Sequence, residues 1–294
     1  MKLGFVGLGI MGMPMAKNLL RAGYELVVYD IVQSRLEEMV ALGATAAGSP
    51  RDLASQVSLV LTMLPNSPHV KEAVLGENGL LHGLRAGSIV VDMSSIAPLV
   101  SIELSGILAE KGVELIDAPV SGGEPKAVSG TLAIMAGGKL EVFEQVFQVL
   151  SVMGSSVTYT GSIGSGNTTK LANQIMVAAN IAGMSEALVL AAKAGVNPEV
   201  VYKAVRSGLA GSTVLDAKAP KVLLGDFKPG FRIELHIKDL MNVLDTADEI
   251  GCPVPLTREI LSMMHSLQDS GHATDDHGGL IQYYEEIAGV QARA

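Results

Sequence analysis

Gly7-Leu8-Gly9-Ile10-Met11-Gly12 spaces three glycines as a phosphate-binding turn requires. One glycine allows the tight bend, one lets the backbone approach a pyrophosphate, and one lets a helix pack against a strand. The N–H groups and dipole at the start of the following helix then favour the anion. Asp30 lies 18 residues beyond Gly12, close to the spacing of about 20 at which an acid meets the adenosine ribose. A carboxylate there accepts both ribose hydroxyls and repels a 2′-phosphate. NAD (NADH) is therefore favoured as cofactor, and Arg35 nearby leaves NADP possible.

Four further clusters hold groups that suit a reaction. Leu64-Pro65-Asn66 and Ser94-Ser95 each follow an apolar run. They fall at strand ends, where open α/β sheets bind ligands. Pro65 can shape a cofactor pocket and Ser95 can bond a ribose or carboxamide; ordinary turn chemistry is the alternative. Asp117-Ala118-Pro119-Val120-Ser121-Gly122-Gly123 ends another strand with a hydroxyl and two glycines. Consecutive N–H groups in such a turn form a nest for a small carboxylate; a plain glycine-rich turn is the alternative. Lys170 and Asn173 stand three residues apart at the start of a long apolar helix, so they share a face. An amine partly buried in apolar surroundings has its pKa lowered toward neutrality, which suits a general acid. A lysine snorkelling from a helix end is the competing reading. Lys238 lies on a later helix, where it either reaches the cofactor or is a solvated charge. His272, Asp275, Asp276 and His277 match no established ligand spacing. Asp275 or Asp276 as a helix N-cap explains that run better, and no metal is expected.

The elements that must position these groups are readable from periodicity. Short continuous apolar runs at 2–7, 26–29, 57–63, 88–93, 113–117, 131–136 and 156–160 alternate with helical patterns. Such runs belong to strands buried on both faces, as in a doubly wound parallel sheet. Beyond Gly164 no strand is expected. Residues 167–194 read as one helix, apolar on nearly every face and hence buried all round. Further helices are expected at 198–206, 213–224, 234–250, 256–270 and 277–288. The chain is thus a Rossmann-type α/β domain over 1–163 and an all-α domain over 164–294 that includes the long helix.

Composition narrows the class. The 294 residues carry a net charge of −9, and only 4% are aromatic. Phosphate-backbone binding needs a basic stripe, so no nucleic-acid partner is expected. The single cysteine, Cys252, excludes a disulfide framework. Asn173, Gln174, Asn180, Ser185 and Glu186 interrupt the long helix, which argues against a membrane span. A cytoplasmic location is expected.

Taken together, these segments resemble the β-hydroxyacid dehydrogenases. Val6–Leu19 is similar to the family's N-terminal motif, Asp117–Gly123 to its substrate segment, Gly164–Asn173 to its catalytic segment and Lys238-Asp239-Leu240 to its C-terminal cofactor segment. The resemblance covers essentially the whole chain in order. It implies Lys170 as acid/base and Asn173 as substrate-positioning residue, with Ser121, Gly122 and Gly123 on the substrate carboxylate. It also implies Met11, Gly12, Asp30, Leu64, Pro65, Ser95 and Lys238 on NAD, two domains joined by a long helix, and dimers or tetramers. The stretches 65–72, 121–127 and 208–220 are most similar to members that reduce the small carboxylate aldehyde tartronate semialdehyde to D-glycerate. Members acting on 3-hydroxyisobutyrate, or on glyoxylate and succinic semialdehyde, share the chemistry.

Overall fold

The computed structural model describes residues 1–294. By its packing the chain divides into two compact units, Met1–Lys170 and Leu171–Ala294.

The first unit opens with β1 (Lys2–Val6), α1 (Gly12–Arg21), β2 (Glu25–Tyr29), α2 (Gln33–Ala41) and β3 (Thr45–Ala46). It continues with α3 (Pro50–Ser55), β4 (Leu59–Thr62), α4 (Ser67–Leu75), β5 (Ile89–Asp92), α5 (Pro98–Glu110) and β6 (Glu114–Asp117). These six strands lie in the order β3-β2-β1-β4-β5-β6, all parallel. Neighbouring residues on a strand enter opposite apolar layers, since side chains alternate across a sheet. Phe5, Val28, Leu61 and Val91 join one layer, and Val6, Val27, Val60 and Val90 the other. Both faces are covered, which is why the strands read as unbroken apolar runs.

The far edge departs from the all-parallel expectation. After β7 (Val120–Ser121) and α6 (Gly123–Ser129), β8 (Leu132–Gly137) runs antiparallel to β6 and β7. Then α7 (Leu140–Met153) returns the chain to β9 (Gly154–Gly161), parallel to β8. The two-residue strands β3 and β7 are too short to show a period.

A 29-residue helix, α8 (Ser165–Lys193), follows. It contributes Lys170 to the first unit and continues into the second. By length and composition it is apolar enough to cross a bilayer. Leu171, Ala178, Ile181, Ala182, Leu188 and Val189 instead form part of the second unit's core. Burial all round is not what the structure shows: Met176 is 59% and Leu190 70% exposed, because the helices of this unit cover only part of its circumference.

The second unit adds α9 (Pro198–Val205), α10 (Thr213–Leu223), α11 (Ile233–Ile250), α12 (Pro255–Leu267) and α13 (Ile281–Ala288). Asn197 caps α9 by accepting from Glu199 and Val200 N–H. The helix expected over 256–270 stops at Leu267. There the chain widens into a turn in which Gly271 takes φ +92°, a conformation open to glycine. The helix expected over 277–288 begins as a 3-10 turn, His277–Leu280, which Asp276 caps through Gly278 N–H.

One carboxylate fixes the start of α8. Asp117, at the end of β6, has no exposed surface. Its Oδ1 accepts from Gly164 N at 2.8 Å and its Oδ2 from Asn167 N at 2.7 Å. A Cβ on Gly166 would lie 2.4 Å from the Asp117 carbonyl oxygen, so the helix packs against the strand end at backbone distance. Burial pushes the Asp117 carboxyl up to about 7; the Asn167 and Gly164 N–H groups oppose this and the Asp92 charge adds to it. The unfolded value is 3.8. Between these values the folded form holds a proton that the unfolded form has released. This group's contribution to stability therefore falls as pH rises from about 4 to about 7 and is flat above. Asp117→Asn offers one acceptor to two donors and is expected to destabilise by about 1–3 kcal/mol. Thermal melts at pH 5 and pH 8 should show a smaller pH difference in that variant than in the native chain. An unchanged difference removes Asp117 as its source.

Candidate active site

In the first unit the candidate cofactor residues meet at the carboxyl ends of the parallel strands. Gly7 follows β1 with φ +96°, and a Cβ there would lie 2.3 Å from the Met63 carbonyl oxygen. A Cβ on Gly12 would lie 1.9 Å from the Gly7 carbonyl oxygen. The fold itself thus requires two of the three glycines. Gly9 differs, because a Cβ there would meet no protein atom within 4 Å. Packing does not need its bareness, and close approach of a phosphate does. Ile10 is 54% exposed, and Met11 is the N-cap of α1. A cavity of about 410 Å³ opens here, lined by Gly9, Ile10, Met13, Lys17 and Arg35 among others. These residues fit a dinucleotide.

Asp30 follows β2 directly and is 8% exposed. Its Oδ2 accepts from Leu8 N at 2.6 Å and its Oδ1 from Val32 N at 2.8 Å. The carboxylate therefore ties the glycine turn to the second strand, a bond that sequence spacing does not reveal. The Arg35 guanidinium stands 3.4 Å from Oδ1. The acid that favours a free ribose and the cation that suits a 2′-phosphate are thus neighbours.

The loops after β4 and β5 are tied to each other. Asp92 Oδ1 accepts from Thr62 Oγ1 at 2.7 Å and from Ser94 N at 3.1 Å. Ser94 Oγ accepts from Leu64 N at 2.9 Å, and Ser67 Oγ from Ala97 N at 3.2 Å. These bonds hold the 64–67 loop against the 94–97 loop. Asn167 then anchors the second loop to the helix start: its Oδ1 accepts from Ile96 N at 3.1 Å and its Nδ2 donates to Ser101 Oγ at 3.1 Å. Asn167 has no exposed surface. Asp92, Ser94, Asp117 and Asn167 carry the geometry, and the sequence reading gave none of them a role.

Ser121 closes β7. Gly122, at φ +136°, and Gly123 lead directly into α6. The expected turn is therefore a strand-to-helix junction. Lys170, in the second turn of α8, is 7% exposed, and a snorkelling lysine would keep its head in water. Asn173 lies one turn further on.

In the second unit Asn173 and Lys238 are joined through Gln174 and Asp239, to which the sequence assigned no site role of their own. Lys238 Nζ lies 2.8 Å from Asp239 Oδ1, with 22% of the lysine side chain exposed, so it is an ion-paired group and no freely solvated charge. Gln174 Nε2 donates to Asp239 Oδ2 at 2.6 Å, and Asn173 Nδ2 donates to Gln174 Oε1 at 2.8 Å. A cavity of about 510 Å³ in this unit is lined by His272, Gln282, Glu285 and Arg293 among others and by no residue assigned above to the cofactor, the substrate or proton transfer. No three His, Cys, Asp or Glu side chains come together as metal ligands.

Comparison with known proteins bears on the same two segments. Residues 2–161 match the NAD-binding domain model of 6-phosphogluconate dehydrogenase. Residues 164–284 match the NAD-binding model of NADP-dependent 3-hydroxyisobutyrate dehydrogenase. Over 288 residues the chain is 41% identical to 2-hydroxy-3-oxopropionate reductase of Escherichia coli (strain K12), covering 98% of both chains. It is 34% identical to the mitochondrial 3-hydroxyisobutyrate dehydrogenase of Bos taurus over 97% of this chain and 87% of that one. The solved 3-hydroxyisobutyrate dehydrogenase of Mycobacterium tuberculosis superposes with a TM-score of 0.89 at 27% identity, covering 96% of this chain and 98% of that one. With both halves matched and full-length relatives at this identity, the chain belongs to the β-hydroxyacid dehydrogenase family of NAD(P)-dependent oxidoreductases.

Proposed function

We propose that the protein catalyses NAD(P)H-dependent reduction of tartronate semialdehyde (2-hydroxy-3-oxopropanoate) to D-glycerate. The observation that carries this reading is the 41% identity, over 98% of both chains, to a reductase of 2-hydroxy-3-oxopropionate. The buried Lys170 on the strand-clamped start of α8 supports it. Gly7, Gly9, Ile10, Met11 and Gly12 cradle the cofactor's pyrophosphate, and Asp30 takes the ribose hydroxyls, which favours NADH. Leu64, Pro65, Ser95 and Lys238 complete the cofactor contacts. When bound, the reduced nicotinamide supplies a hydride to the aldehyde carbon. Ser121 and the Gly122 and Gly123 N–H groups hold the substrate carboxylate, and Asn173 orients its polar groups. Lys170 holds a proton at Nζ and gives it to the carbonyl oxygen as negative charge develops there. In this reading residues 1–163 bind dinucleotide, residues 164–294 serve substrate and assembly, and the protein is a cytoplasmic homodimer or homotetramer.

A second reading, 3-hydroxyisobutyrate dehydrogenase, draws on the family model matched by residues 164–284. Pockets separate short acids by only about 1–3 kcal/mol per methylene, so a substrate panel decides. Tartronate semialdehyde should give a higher kcat/KM than glyoxylate, succinic semialdehyde or 3-hydroxyisobutyrate; a higher value for 3-hydroxyisobutyrate selects the second reading.

Two substitutions test the roles. Lys170→Ala is expected to lower kcat by about 10²–10⁴-fold, while NADH affinity by fluorescence titration stays within about threefold of native. Turnover near the native rate removes Lys170 as the acid. Asp30→Ser is expected to cut the ratio of NADH to NADPH kcat/KM by about tenfold or more, through loss of the ribose acceptor. A ratio equal to the native one places Asp30 outside the ribose site.

A further inference from the structure

The contacts that run from Lys238 to Asn173 have a direction. Asp239 is 2% exposed, and a carboxylate only accepts hydrogen bonds. Its Oδ1 faces the Lys238 ammonium, and its Oδ2 takes the Gln174 Nε2–H. Gln174 must therefore turn its amide nitrogen toward Asp239 and its Oε1 the other way. Oε1 accepts from Asn173 Nδ2 at 2.8 Å. A flipped Asn173 amide would set two carbonyl oxygens against each other, and Gln174, 4% exposed, has little water to relieve that clash. The Gln174 bond thus carries the polarity of a carboxylate two side chains away to the Asn173 amide. Residues adjacent on a helix do not normally face each other, so the Gln174 side chain has to reach back for this bond.

The geometry points to Gln174 as a positioning residue that transmits the polarity of Asp239 to Asn173. Asn173 then meets the hydroxyacid with its amide orientation set. This deepens the function proposed above and rests on its assignment of Asn173 to the substrate. Asp239 acts in the same chain from the other end, balanced by Lys238.

A double-mutant cycle on ligand affinity tests this without turnover. The probe is D-glycerate, or 3-hydroxyisobutyrate where the substrate panel favours it, titrated calorimetrically into enzyme saturated with NADH, an unreactive pairing. Gln174→Met keeps the volume and removes both hydrogen bonds. It is expected to weaken hydroxyacid binding about tenfold, with NADH affinity within about twofold of native. Asn173→Ala should weaken hydroxyacid binding at least as much. If Gln174 acts through Asn173, the double variant binds like Asn173→Ala alone. Losses that multiply, or a Gln174→Met variant that binds hydroxyacid like the native chain, overturn the proposal. An Asn173→Ala variant that binds normally overturns the substrate assignment itself and the relay with it. Should Gln174→Met fail to fold, Gln174→Glu gives a second readout. The introduced carboxyl, beside Asp239 and Lys238, can donate to Asp239 only when protonated. Its affinity loss relative to native should therefore be larger at pH 8 than at pH 6, and a pH-independent loss overturns the relay.

Discussion

Asp117 carries no exposed surface, and both its oxygens are committed to the turn that begins α8. Separating the strand end from the helix start would take the acceptor from the Gly164 and Asn167 N–H groups, and a buried donor left unpaired is costly. The arrangement matters because α8 bears Lys170 in its second turn. The glycines at 164 and 166 belong to the same device, since a side chain on Gly166 would collide with the Asp117 and Met135 carbonyl oxygens. An amine placed on a loop would sample many orientations; one placed on a helix whose first turn is bonded to a central sheet does not.

The first unit shows the same economy of means at its other loops. Thr62, Ser94 and Asp92 tie the ends of β4 and β5, and Asn167 ties the second of these to α8. Loops at strand ends are where binding residues collect, provided a rigid scaffold holds them. Here the scaffold is a set of small hydroxyl and carboxyl groups bonded to backbone N–H groups. A chain without tryptophan and with 4% aromatics gains little loop rigidity from large rings and relies on such bonds.

What could be read in the sequence was local. The glycine turn showed because the tight bend, the phosphate approach and the helix packing all fall within six residues. The strands showed because Val27, Val28, Val60 and Leu61 are each buried on one face or the other of a sheet covered on both. The Asp276 cap showed because its partner, Gly278, is two residues away. The antiparallel edge formed by β8 did not, since strand direction leaves no trace in an apolar run. Nor did the halt of α12 at Leu267, where Gly271 lies four residues beyond. The residues that carry the site's geometry were hidden for a related reason. Asp117 meets partners 47 and 50 residues away, Asn167 reaches across 71, and Gln174 meets Asp239 across 65. Each is an ordinary polar residue until the fold brings its partner.

Asp30 holds a last consequence. Its carboxylate anchors Leu8 and Val32 through their N–H groups while standing beside Arg35. An adaptation of cofactor preference at this position therefore cannot simply delete the acid, because doing so also takes the acceptor from the Leu8 and Val32 N–H groups. The adaptation has to arrive with a replacement acceptor for Leu8, which makes the exchange a coupled pair of changes and cofactor choice correspondingly slow to drift.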